Sequence, residues 1–366
     1  MAQTDTFTPR WASPPGDTIR SVLEARGISL AQFAQELGVS IPTAESLLNG
    51  NVPISVDLAR RMGTSIGGSV SFWVSRDGQY RDDLATVAAD RWAGVLPTED
   101  MTAFGWIERP PTWQERIATM LAFFAVPDLP AWDLAYGSVV EAARFRLAAT
   151  SRADAAAIAV WLRRAEIENE GIKTGLWDPA AFQAAIQRIR RLTSVRDPRA
   201  FLPDLTAACA EAGVSVVLVR APRGCPASGA ARFLTPQRPQ IILSGRYLSD
   251  DHLWFTFYHE AAHLLHDDPA AVFVDEFEEA ANERASGDES NADAFAGDIL
   301  LPPEVRRQIP PRRLGARDIV RAARAAGVSP GIVVGQLQHL GVLGFGSRFN
   351  GFKRRYRWAG TTLERA

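Results

Sequence analysis

Over the first eighty or so positions the apolar residues come in short helical bursts, separated by glycine and serine. Asp17 to Arg26 carries Ile19, Val22 and Leu23 at helical spacing and runs into Gly27. LAQFAQEL follows Ser29 and stops at Gly38. Ser40 is a natural N-cap for IPTAESLL, which has Pro42 in its first turn and Asn49-Gly50 as its stop. Ser55 caps VDLARRMG, and a fifth segment near Ser69 to Tyr80 carries Phe72 and Trp73. Two short helices joined at Gly38-Val39-Ser40 have the layout of a helix-turn-helix.

The pattern broadens from about Ala85 to Ala212, where AAAIAVWLRRAEIENEGI typifies long helices with apolar faces, divided by prolines at 110–111, 127–130, 179 and 198. It changes again at Gly213. VSVVLV, GAARFL and PQIILS read as short strands, and Asp250 to His266 reads as a helix. Further helices are predicted over Asp293–Leu301, Arg317–Ala326 and Gly331–Leu340. The closing GFGSRFNGFKRRYRWAG alternates aromatics between glycines, as a hairpin does.

At 366 residues the chain calls for two or three domains. No apolar run approaches the roughly 20 residues of a membrane span, and residues 1–15 read as a flexible N-terminus without the apolar core of a secretory signal. Cys209 and Cys225 are too few for a disulfide framework or a Cys-rich zinc finger, so the cytoplasm is the expected compartment. A net charge of −2 gives no whole-molecule attraction to nucleic acid or membrane.

Three of the five histidines fall at His259, His263 and His266. His259-Glu260-Ala261-Ala262-His263 on a helix puts two imidazoles on one face, about 6 Å apart along the axis, where they can chelate one zinc. Glu260 then flanks the metal as a proton acceptor for zinc-activated water. His266 lies on the same face, but its Cα is about 10 Å along the axis from that of His259, which sets it aside as an outer or solvent-facing residue. A third ligand from another helix is needed. The acidic stretch Asp275–Asp293 offers Glu276, Glu278, Glu279, Glu283, Glu289 and Asp293, and spacing does not choose among them.

The stretch from Trp254 to Pro303 resembles the ImmA/IrrE metallopeptidases, through WFT, HEAAHLL, then ESNADAFA and ILLP. The resemblance makes Glu289 the third ligand. One departure is Asp293, where the family has asparagine; this alters the hydrogen bonding behind the ligands and offers a competing carboxylate. The resemblance also implies a peptide-docking sheet edge at Gly229, Ala230, Ala231, Arg232 and Phe233. Zinc is the implied metal, with manganese as an alternative. The N-terminal region is similar to Xre/HigA-type helix-turn-helix domains, through RGISLAQFAQELGVS, LLNGNVPIS, DLARRMG and SFW.

Residues placed for DNA contact are Gln32, Ser40, Thr43, Ser46, Asn49 and Arg60. From Asp17 to Arg61 there are four basic residues against five acidic ones, and the recognition helix has no Arg, Lys or Gln, so guanine readout by Arg is not available there. A helix-turn-helix used for dimerisation or for gripping a protein is the alternative. Arg348, Lys353, Arg354, Arg355 and Arg357 read as the solvated face of an amphipathic hairpin.

The expected fold is mainly α with a small β-sheet. It comprises a helix-turn-helix over 16–84, a helical linker over 85–156, a zincin-like metallopeptidase domain over 157–345 and a basic aromatic hairpin over 346–366. The expected function is a cytoplasmic, homodimeric, operator-binding regulator that cleaves a specific repressor, antitoxin or partner protein, without membrane association. The alternative is a non-proteolytic repressor or antitoxin whose peptidase-like domain senses metal, ligand or toxin.

Overall fold

A computed structural model describes residues 10–146, 152–266, 273–275, 287–310 and 314–366. The acidic candidates Glu276, Glu278, Glu279 and Glu283, and the first nine residues of the expected N-terminal arm, lie outside them. The chain is mainly helical with small β-sheets. It divides into two compact units, Met1–Gly94 with Pro111–Ala118, and Val95–Pro110 with Thr119–Ala366.

The first unit contains α1 (Pro15–Arg26), α2 (Leu30–Leu37), α3 (Ile41–Leu48), α4 (Val56–Ile66) and α5 (Val70–Val95). The predicted caps operate: Ser29, Ser40 and Ser55 accept from the backbone N–H of Gln32, Thr43 and Leu58. Gly38, at φ 62°, closes α2 in the left-handed conformation that a side chain disfavours. The apolar faces of these helices meet in one core of Ile19, Phe33, Leu37, Leu47, Met62, Ile66 and Trp73. The fifth helix is longer than its predicted segment and carries straight through the expected boundary at residue 84. No proline interrupts it, and Arg81 pairs with Asp77 one turn back at 2.9 Å. Buried Asp77 also accepts from the N–H of Ile54, tying the α3–α4 connection to α5.

In the second unit the helices α6 (Thr98–Ala103), α7 (Trp113–Phe124, its first residues in the other unit), α8 (Leu129–Arg146), α9 (Arg152–Asn169), α10 (Pro179–Ile189) and α11 (Pro198–Glu211) precede β1 (Ser215–Leu218). The chain continues through β2 (Gly229–Phe233), β3 (Pro239–Leu243), α12 (Asp250–His266), β4 (Phe273–Asp275) and α13 (Gly287–Leu300). It closes with α14 (Pro303–Arg306), α15 (Ala316–Ala326), α16 (Pro330–His339), β5 (Tyr356–Ala359) and β6 (Thr362–Arg365).

The main sheet runs β1-β3-β2-β4, with β1 parallel to β3 and the other pairs antiparallel. Side-chain alternation gives the sheet two apolar faces. Val216, Ala231, Ile241 and Leu243 pack with Trp254, Phe257, Tyr258 and Ala261 of α12. Val217, Ala230 and Ile242 pack with Ile158, Trp161 and Leu162 of α9. The sheet is therefore sandwiched between α9 and α12. Arg232 lies on the α9 side, buried, where it donates to Glu166, Gln240 and the Leu162 carbonyl at 2.9–3.1 Å.

The C-terminal hairpin, β5 with β6, forms as the alternation predicts, but its basic residues are not all solvated. Arg354 donates to the carbonyls of Thr193, Ser194 and Val195, and Lys353 pairs with Asp251 at 2.6 Å. Tyr356 and Leu363 join the core beneath α12. At the start of α12, Asp250 accepts from the Ser329 hydroxyl at 2.6 Å and the Arg354 backbone N–H at 2.9 Å. Burial, with neighbouring Asp251, outweighs these bonds and raises its carboxyl to about 6.

Between about pH 4 and 6 the folded chain thus binds more protons at Asp250 than the unfolded chain does, so this group's contribution to stability declines as pH rises through that window. Asp250→Asn should flatten the pH 4–6 slope of unfolding free energy by an amount on the order of 1–3 kcal/mol, measured by urea melts at each pH. An unchanged slope would contradict this assignment.

Candidate metal centre

The site is built where α12 and α13 pack. A nearly continuous run of buried residues seats α12 in the core against the sheet, and small Ala292 and Ala296 let α13 come close. His259 and His263 stand one turn apart on α12, with their Nε2 atoms 3.0 Å from each other. The Oε2 of Glu289, in the first turn of α13, lies 3.3 Å from His259 Nε2 and 3.6 Å from His263 Nε2. Metal–ligand bonds of about 2.0–2.1 Å at tetrahedral angles require donors about 3.3 Å apart. The three separations bracket that value, so this donor set fits a zinc-sized divalent cation.

Asp293, one turn after Glu289, accepts from His259 Nδ1 at 2.9 Å. A carboxylate partner fixes the proton on Nδ1 and turns the Nε2 lone pair toward the other donors. Its sequence position made Asp293 a rival ligand; it instead lies behind the ring of His259. Its other oxygen is 4.0 Å from Nε2 of His339 at the end of α16, whose ring also packs 5.3 Å from that of Phe255. Helical spacing could not find His339, because α16 reaches the site only through tertiary packing. His266 ends α12 exposed, its ring 5.5 Å from Phe295, and contributes no donor to the cluster.

Glu260 is fully buried beside the ligands. The first residue of β2 closes on it: a Cβ at Gly229 would stand 2.3 Å from Glu260 Oε1 and 2.5 Å from Thr256 Cγ2. Only glycine admits this approach of strand to carboxylate. The peptide-docking reading of Gly229 to Phe233 presumes a sheet edge, and β4 lies along part of that edge. Gly229, Ala230 and Ala231 are paired on both sides, to β3 and to Asp275, Val274 and Phe273 of β4. Arg232 and Phe233 pair with β3, and the side chain of Arg232 is committed to Glu166 and Gln240 on the far face.

The residues suggested for DNA contact are surface residues of the helix-turn-helix, apart from half-buried Ser46. Several have structural partners: Ser40 caps α3 and meets the Thr43 hydroxyl at 2.8 Å, Gln32 donates to Glu36, and Asn49 accepts from Arg20. Arg60 pairs with Asp57 at 3.4 Å and stays largely exposed.

Residues 213–337 match the family model described as Peptidase_M78, IrrE N-terminal-like domain. The matched span runs from the start of β1 into α16 and contains all three metal donors, Glu260 and Asp293. An uncharacterized HTH-type transcriptional regulator of Escherichia coli (strain K12), YddM, is 31% identical over 61 residues, 17% of this chain and 65% of that protein. The chain therefore covers slightly less than two thirds of that relative. An IrrE N-terminal-like domain is joined here to an N-terminal helix-turn-helix. Among the described residues no single helix is long and apolar enough to cross a membrane.

Glu289→Ala should bring bound metal from near one per chain to a small fraction of that. Asp293→Ala should weaken metal affinity by about 10–100-fold, as loss of such a supporting carboxylate does. His266→Ala should leave metal content unchanged, and a loss there by elemental analysis would reinstate it as a ligand.

Proposed function

We propose that this chain is a DNA-binding regulator whose C-terminal domain is a metal-dependent endopeptidase for one repressor, antitoxin or partner protein. The observation that carries the reading is the meeting of His259, His263 and Glu289 at tetrahedral donor spacing, with Glu260 buried beside them. A zinc ion, or manganese in its place, supplies Lewis acidity that polarises a peptide carbonyl and acidifies water. Glu260 follows His259 directly and precedes His263 by three positions, so its carboxylate flanks the donors. There it accepts the proton of the attacking water and passes it to the departing amine nitrogen. Asp293 holds His259 in one tautomer throughout. The wall formed by Gly229 and Thr256 restricts water around the carboxylate of Glu260.

The helix-turn-helix supports operator binding, with Gln32, Ser40, Thr43, Ser46, Asn49 and Arg60 as the contact residues, and the regulator is read as a cytoplasmic homodimer. The scarcity of bases on α2 and α3 favours weak, partner-assisted binding. The alternative, a regulator whose peptidase-like domain senses without turnover, draws its support from β4, which fills the side of β2 where a peptide would lie.

Glu260→Gln should abolish chelator-sensitive cleavage of a partner protein by at least about 10³-fold, while metal stays near one per chain and operator affinity is retained in a gel shift at fixed salt. Cleavage that survives in this variant would remove Glu260 from the reaction. Intact operator binding with no cleavage of any co-encoded partner by the wild type would favour the sensing alternative.

A further inference from the structure

The register of β4 bears directly on the site. Gly229, the β2 residue that closes on Glu260, is the residue opposite Asp275, and Ala230 and Ala231 face Val274 and Phe273 in an antiparallel ladder. An extended piece of this chain is therefore laid along β2 where that strand comes nearest the base. In chain order β4 falls between α12 and α13, the two helices that supply the metal donors.

We infer that Phe273–Asp275 occupies, from within the chain, the ladder position of an extended peptide beside Glu260, so that peptide entry requires displacement of β4. The inference rests on the endopeptidase reading for its biological sense, and on the pairing alone for its physics.

β4 meets β2 through the main chain at Gly229, Ala230 and Ala231. A strand held by main-chain pairing is replaced by another strand at little cost, because each ladder bond broken is re-formed. The small side chains at Ala230 and Ala231 impose little on the incoming residues. Selectivity then lies in how readily a given segment becomes extended, and the class of ligand is an unfolded or locally unfolded protein segment.

The test uses the full chain, zinc-loaded, in a Glu260→Gln background so that turnover does not interfere. The Ser244 N–H donates to the Ser228 carbonyl and the Leu234 N–H to the Arg238 carbonyl, so even-numbered residues of β2 turn their main chain to β3, while Gly229 and Ala231 turn theirs to Asp275 and Phe273. A fluorescent peptide with the sequence of residues 270–278 is titrated by anisotropy against this chain and against the same chain carrying Phe273→Pro, which removes a ladder donor. The expected result is about tenfold tighter binding in Phe273→Pro, as when a blocked state ceases to dominate. Equal or weaker binding by a Phe273→Pro chain with unchanged metal content and melting temperature overturns the inference. Should Phe273→Pro fail to fold, Phe273→Gly decides in the same assay, with a smaller gain expected and no gain overturning the inference. The Phe273→Pro chain with Glu260 intact provides the second arm. Tighter peptide binding without cleavage of that peptide or any partner sinks the endopeptidase reading and leaves the displaced-strand inference standing.

Discussion

A helix buried on all sides must satisfy its polar groups with whatever packs against it, and α12 is such a helix: fourteen of its seventeen residues are buried. Each polar residue in it dictates something nearby. Asp250 and Asp251 at its start require Ser329, Lys353 and the backbone of Arg354, which brings α16 and the C-terminal segment to that end. His259 and His263 at its other end call for Asp293 and Glu289, which fixes the register of α13. Between them, aromatic side chains hold the helix to the sheet; burial of each is worth roughly 1.5–3 kcal/mol. The metal centre is one end of a solution to a packing problem that spans the whole domain.

What the sequence made legible follows the range of the interactions concerned. The N-caps at Ser29, Ser40 and Ser55 and the stops at Gly27 and Gly38 depend on residues within one helical turn, and they read directly from the chain. The His259–Glu260–His263 face is equally local. Glu289 was one of several carboxylates by spacing and was singled out by a family resemblance, since its nearness to two imidazoles is a property of helix packing. The strand at Gly229–Phe233 was legible as a strand, but its neighbours were not: pairing partners are non-local, and a three-residue strand such as β4 has almost no sequence signal. The same applies to His339 and to the inward-turned Lys353 and Arg354, whose roles are set by elements distant in the chain.

The N-terminal unit contrasts with this. Its core is a conventional small helical one, with Phe33, Leu37, Met62 and Trp73 at its centre, and its polar groups are mostly at the surface. Asp77 is the exception, and it serves the backbone of the α3–α4 connection. The two units therefore meet different physical demands: the first keeps polar residues available outside, and the second draws them in.

The tie between the C-terminal hairpin and the start of α12 has a consequence for biosynthesis. A ribosome that has just released His263 has made the metal-binding face of α12 but not Glu289, and has yet to make Lys353, Arg354, Tyr356 or Leu363. Until the last of these emerges, Asp250 and Asp251 lack the partners that make burial of the helix tolerable. Burial of the start of this helix therefore rests on partners made after all three metal donors.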